Sequence, residues 1–358
     1  MTLPAYGKPA PSLPAAGPAH PLPSHQVFGF LPYWSLGDPT QVPYSDLTTV
    51  AYFSLDVAKD GSVVEQGQAY DDLSGYDFSS LMQGAHAAGV RVLLTISDAT
   101  SSTLSAICSR PGVSAANMTA GIEHLIETYG FDGVDIDLEG RATADRERFA
   151  ELVGLVADKL HAVDASWDVA VDTYPQSAGD PTDFFDVAKI APHVDQVFVM
   201  DYDAENMQVP SPTAPLNASG LSDVATLQAY SSVVPPGKLI LGVPFYGVDW
   251  TVGKSGQPGS ADGPVALTYD QITGAGATPL FDPATDTVFI HYDANGKHHF
   301  AWFDDPLTLT LKAALASVYH VAGVGIWALG MQGPNPSLVS ALLGGSSPVR
   351  LPLAHQPS

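Results

Sequence analysis

The stretch FDGVDIDLEG, residues 131–140, sets Asp132, Asp135, Asp137 and Glu139 within eight residues, interleaved with Val134, Ile136 and Leu138. On a strand, alternate side chains share a face. Asp135, Asp137 and Glu139 then point one way and the aliphatic residues the other. Asp132 is out of phase and tethers the start of the strand. Three carboxyls this close cannot all ionise cheaply, because like charge and partial burial raise the pKa of at least one. A carboxylic acid kept protonated near neutral pH is a general acid, and Glu139, last in the row, is the natural proton donor. The competing readings are an acidic strand without chemistry and a metal site. No histidine stands at a compatible position on this strand.

Such a row needs a scaffold that buries the aliphatic face and opens the other onto a ligand. Strand-like runs occur at 27–31, 48–55, 90–96, 133–138, 168–174, 196–202, 238–245 and 323–329, several nearly continuous in β-branched residues, as strands buried on both faces are. Helical patterns separate most of them, clearest in TADRERFAELVGLVADKLHAV at 143–163. Eight strands alternating with helices predict an α/β fold, a (β/α)8 TIM barrel over residues 25–343. The acidic face then lines the interior, with Glu139 at the C-terminal rim where such barrels hold their chemistry. Between strands seven and eight, residues 248–304 hold a Gly-rich loop, a short helix near LTYDQIT and a hairpin turning at Asn295-Gly296, predicting a small α+β insertion. Residues 1–24 carry seven prolines and predict an extended flexible segment, as does the tail 344–358.

The 358 residues include 38 Asp+Glu against 14 Lys+Arg, a net charge of −24. That field repels phosphate backbones and anionic lipid, so nucleic acid is excluded as a partner and a neutral substrate is favoured. No apolar run reaches the ~18–20 residues that span a bilayer, so no membrane insertion is expected. The single cysteine, Cys108, excludes an intramolecular disulfide and reads as a small core residue. No basic n-region followed by an apolar h-region is visible. The expectation is nevertheless a secreted or cell-surface monomer, in which Met1 need not be the native start.

DGVDIDLE resembles the DGxDxDxE signature of glycoside hydrolase family 18, the chitinases and endo-β-N-acetylglucosaminidases. VMDYD (199–203) resembles the family's M-x-Y-D strand, GIWALG (325–330) its last strand with a tryptophan under the sugar, and GFLPYW (29–34) its first strand. GVPFYGVDW (242–250) and residues 300–330 look closest to the spore-germination and cortex-lytic branch. The resemblance covers roughly residues 27–343. It departs after strand three, where LLTISDATSS replaces the S-x-G-G of many family chitinases; this weighs against a processive chitin degrader.

The resemblance implies retaining, substrate-assisted hydrolysis of β-1,4-linked N-acetylglucosamine-containing glycans: chitin oligomers, peptidoglycan or N-glycan cores. Glu139 would protonate the glycosidic oxygen and Asp137 would orient the substrate's acetamido group. Asp135 would share a proton with Asp137, and Tyr202 would hydrogen-bond the acetamido oxygen. Asp203 would touch the sugar or Tyr202, Trp327 would lie under the sugar, and Met200 would wall the pocket. Tyr33, Trp34, Tyr246 and Trp250 sit at predicted strand ends, where aromatic faces stack on sugar rings. His291, His298 and His299 read as ordinary strand residues with no fourth ligand nearby, so neither metal nor cofactor is expected. The competing function is an inactive sugar-binding barrel, a lectin or cell-wall binding protein. Loss of the acid glutamate marks that class, and Glu139 is present.

Overall fold

The computed structural model describes residues 25–37, 42–253 and 263–343; the segment 1–24 and the tail 344–358 lie outside the described residues. In chain order the strands are β1 (Gln26–Pro32), β2 (Thr49–Asp56), β3 (Arg91–Asp98), β4 (Gly133–Leu138), β5 (Asp168–Thr173), β6 (Gln196–Val199), β7 (Leu239–Pro244), β8 (Tyr246–Val252), β9 (Val265–Thr268), β10 (Leu280–Asp282), β11 (Thr287–Ala294), β12 (Lys297–Phe303) and β13 (Gly323–Trp327). The helices are α1 (Gln68–Asp72), α2 (Tyr76–Ala87), α3 (Ser101–Cys108), α4 (Pro111–Tyr129), α5 (Arg146–Val163), α6 (Val187–Ile190), α7 (Asp223–Tyr230), α8 (Tyr269–Thr273), α9 (Pro306–Val318) and α10 (Ser337–Ala341). Strands β1 to β7 and β13 are parallel and close into the expected barrel, β13 pairing with both β7 and β1.

Alternation along each strand divides the core in two. Val50, Val92, Val134, Val169, Val197, Leu239 and Val324 face the helices. Phe28, Phe30, Ala51, Leu93, Ala170, Phe198 and Ile240 fill the barrel's interior. Phe198 needs the space left by glycine on the two strands beyond β6. A Cβ on Gly325 would come within 2.1 Å of its ring, and one on Gly242 within 2.7 Å. Aromatic bulk thus plugs the lower barrel and leaves the upper interior to β4 and β5.

The insertion holds more strands than expected. It is a five-stranded sheet in the order β10-β11-β12-β8-β9, and it begins at Tyr246, directly after the barrel strand β7. The hairpin turns at Asn295 and Gly296, both with positive φ, as the Asn-Gly pair requires. Val248, Trp250, Val252 and Trp302 make a separate small core. This corrects the expectation for Trp250: it lies on β8, inside the insertion, and not at the end of a barrel strand. The helix expected over FFDVAKIAP shrinks to the four residues of α6, since Pro192 follows directly. Cys108 ends α3, a helix not anticipated, and is buried.

A buried ion cluster ties the insertion's end to the barrel. The Lys312 ammonium on α9 has no exposure and lies 3.0 Å from Asp223 on α7 and 3.2 Å from Asp304, just after β12. It also donates to the Ala214 carbonyl at 2.7 Å. Burial opposes the charge, but Asp223 and Asp304 outweigh it and hold Lys312 above the ordinary lysine range. Lys312→Ala strands buried carboxyls and is expected to cost about 3–5 kcal/mol. Denaturant titration checks this, and an unchanged midpoint would show that the cluster carries no stability.

Candidate active site

Strand β4 delivers its acids as the alternation implies. Asp135 is fully buried and Asp137 is 7% exposed, while Glu139, one residue past the strand, is half-buried at the rim. Asp132 anchors the strand's start by accepting the Val92 N–H at 2.8 Å and pairing with His86 at 2.9 Å. Gly140 follows Glu139 closely packed: a Cβ there would meet the Phe184 ring at 2.3 Å. The chain therefore turns away from Glu139 without a side chain beside it.

A fourth carboxyl joins from β5. The β4–β5 register pairs Ile136 with Val171, so the next residues, Asp137 and Asp172, lie side by side. Asp172 is buried. Its signal in the sequence is DVAVDTY, where Asp168, Ala170, Asp172 and Tyr174 share one face, a spacing that by itself marks neither Asp172 nor Tyr174 as a site residue.

These groups open into a cavity of about 410 Å³ lined by residues from several barrel strands. Asp137, Glu139, Asp172 and Tyr174 form one wall. Met200, Tyr202 and Asp203, which follow β6, form the next. Trp327 at the end of β13 and Phe53 on β2 lie together, their rings edge-on with centroids 4.7 Å apart. Around the barrel β13 stands four positions from β4, so Trp327 faces the acidic wall across the opening.

Other expected residues are placed differently. Tyr246 does not line the cavity; its hydroxyl donates to Asp203 Oδ1 from β8, and its ring meets Tyr202 edge-on at 6.2 Å. The Asp203 N–H donates to Thr213 Oγ1 at 3.1 Å, fixing a residue whose φ of 60° is left-handed. Tyr33 packs edge-on against the exposed Trp34, outside the cavity lining. Trp250 is 2% exposed and does not reach the cavity. Among the described residues no group of three His, Cys, Asp or Glu is arranged to hold a metal ion. His298 and His299 are engaged by Asp293 and Asp249.

Burial raises every carboxyl of the row, and neighbouring groups adjust each one. Burial pushes Asp135 up to about 7, against donation from Thr95 Oγ1 at 3.0 Å and with some help from Asp168. Burial, then the charges of Glu139 and Asp135, hold Asp137 well above the carboxylate range. Burial does the same to Asp172, reinforced by Asp135, Asp137 and Glu139. Glu139 is raised by burial, while the Tyr174 hydroxyl and the Arg141 charge favour its ionised form and Asp203 disfavours it. Burial thus favours the neutral form throughout the row, and the one carboxyl that is both raised and at the rim is Glu139.

A carboxyl raised by burial at the rim of this cavity, opposite an aromatic face, equips a barrel for acid–base cleavage of a glycosidic bond, the work of a glycoside hydrolase. The comparisons make the class specific. The model for glycosyl hydrolases family 18 matches residues 26–332, and the chain belongs to that family. It is 27% identical over 344 residues to human di-N-acetylchitobiase, covering 89% of this chain and 81% of that protein. It is 22% identical over 314 residues to the cortical fragment-lytic enzyme of Bacillus anthracis, covering 84% and 69%. Its fold superposes on a family 18 chitinase from Cycas revoluta solved with (GlcNAc)3, with a TM-score of 0.77 at 20% identity over 88% of this chain and 98% of that one.

The raised carboxyl pKa values predict the pH dependence of stability. Asp135 binds its proton more tightly folded, at about 7, than unfolded, near 3.8. Its contribution is fully present below the unfolded value and lost as pH rises through the folded one. Thermal unfolding from about pH 4 to about pH 8 should show a declining midpoint, and Asp135→Asn should flatten the decline. A wild-type midpoint that rises across that window would mean the row folds as paired charge.

Proposed function

We propose that this glycoside hydrolase cleaves β-1,4-linked N-acetylglucosamine-containing glycans by a retaining, substrate-assisted route. The observation that carries the reading is the graded row Asp135, Asp137 and Glu139, ending beside Tyr202 and opposite Trp327 in one cavity. Glu139 protonates the glycosidic oxygen. The substrate's acetamido oxygen attacks C1, the C1–O bond to the leaving group breaks, and an oxazolinium ion forms. Asp137 stabilises the acetamido nitrogen as positive charge develops, while the buried Asp135 shares its proton. Tyr202 donates to the acetamido oxygen. Glu139, now ionised, deprotonates the water that opens the ring, so the anomeric configuration is retained.

An internal nucleophile needs no carboxylate on the far face of the sugar, and its effective concentration is high. The acids stand on one wall, at β4 and β5, and the wall across from them is aromatic. Two family relatives support the substrate class: di-N-acetylchitobiase and a chitinase held with (GlcNAc)3. As part of the same proposal the enzyme acts as a monomer, secreted or at the cell surface. Recovery from the cytosol alone, or as a stable dimer on sizing, would remove that part.

Glu139→Gln keeps the shape and removes the proton, so turnover on N-acetylglucosamine oligomers should fall by roughly 10²–10⁴-fold with the fold intact. Activity within about threefold of wild type would displace Glu139 as the acid. Product released by the wild-type enzyme should appear first as the β anomer when followed by NMR. The α anomer appearing first would exclude the oxazolinium route.

A further inference from the structure

Among the described residues the cavity lining contains a single cation. Arg141, two residues past Glu139, stands among the carboxyls of Asp137, Glu139, Asp172 and Asp203. Its guanidinium carbon lies 3.9 Å from the centroid of the Tyr174 ring, which also lines the cavity. A guanidinium resting on an aromatic face keeps its N–H edge available in the plane, where a fork of donors can meet a carboxylate. Among the described residues Arg141 forms no ion pair or hydrogen bond, in a protein where 38 acids outnumber 14 basic residues. Two arginines are engaged by the fold: Arg91 pairs with Asp168 at 2.9 Å, and Arg146 donates to Asp183 and Phe185 carbonyls and faces Asp186 at 3.6 Å.

Its position along the cavity is as informative as its charge. Trp327 and the acidic wall face each other, so a sugar resting on Trp327 presents its glycosidic oxygen toward Glu139. Arg141, two residues past Glu139, and Tyr174 line the same cavity, so a unit next to the cleaved bond would come within their reach.

We propose that Arg141 is a specificity residue that recognises a carboxylate on the sugar next to the cleaved bond, so that the substrate is an N-acetylhexosamine glycan with acid-bearing units. The inference rests on the proposed function and narrows its substrate class. A single carboxylate fits better than a phosphate dianion, since one guanidinium stands against four carboxyls and balances one negative charge. The overall charge of −24 still disfavours polyanions at long range. Arg141 acts at contact distance, where a bidentate pair is little affected by charges beyond the Debye length.

The test compares two β-1,4-linked N-acetylglucosamine oligosaccharides of equal length. One is neutral, and the other carries a lactyl ether carboxylate at O3 of alternate sugars. The quantity read is the preference, kcat/KM for the acidic substrate divided by kcat/KM for the neutral one. Arg141→Gln should lower it about tenfold or more, chiefly through KM, the scale of one charge-assisted contact. Arg141→Lys should restore part of it, since a point charge lacks the fork. Converting the carboxylate to its primary amide should lower the preference of the wild-type enzyme similarly, a result that depends on no variant folding. A preference unchanged by Arg141→Gln, with both rates shifting together, would mean that Arg141 only tunes Glu139 and would overturn the proposal. So would wild-type enzyme that cuts the neutral oligomer and leaves the acidic one intact. If neither oligomer is cut, it is the proposed function that fails.

Discussion

Burying acid without a counterion is the constraint on which the upper half of this barrel is arranged. Asp135, Asp137 and Asp172 lie within the strands, each less than a tenth exposed, and no lysine or arginine is among the causes that set their proton affinity. An ionised carboxylate so placed costs several kcal/mol even after relaxation. The row is therefore least costly when protons are kept and shared, and burial is the first cause of the raised proton affinity of each member. Glu139, outside the last strand residue, is the member that meets both solvent and cavity. Asp137 and Asp172 also reach the cavity wall, but Asp135 lies behind them and does not line it.

The Lys312 cluster solves the same problem in the opposite way. Asp223 and Asp304 are also buried and raised by burial, but the lysine between them favours their ionised forms. That arrangement is rigid and holds elements together, and it offers no labile proton to a ligand. One cation's placement separates a carboxyl group that is scaffold from one that is site.

Legibility in the sequence followed how local each signal is. The β4 boundaries, 133–138, coincide with the expected run, because both faces of that strand obey a period of two. The barrel is legible for a different local reason, eight short runs, several nearly continuous in β-branched residues, most of them separated by helical patterns. Tyr246 and Trp250 were misplaced because YGVDW alternates like a barrel strand's end, while its partner β12 lies some fifty residues away. Pairing at that distance leaves no trace in a window of a few residues. Asp172 was overlooked because its neighbours in sequence are ordinary; only the register of β5 against β4 brings it to Asp137. Arg141 was invisible because its platform, Tyr174, comes from the next barrel strand.

The segment after β6 shows how remote contacts reach the chemistry. Met200 to Asp203 is irregular, yet two of its residues, Met200 and Tyr202, face the cavity as if on a strand. Asp201 between them turns inward, accepting Thr226 Oγ1 at 3.0 Å close to the Lys312 charge. Asp203 is caught from above by Tyr246 of the insertion and Thr213. Tyr202 is therefore held on one side by a buried ion cluster and on the other by the small sheet, with no backbone ladder of its own. An added domain that supplied only bulk would leave this loop free. Because Tyr246 opens the insertion's first strand immediately after β7, the insertion and the site are mechanically one piece.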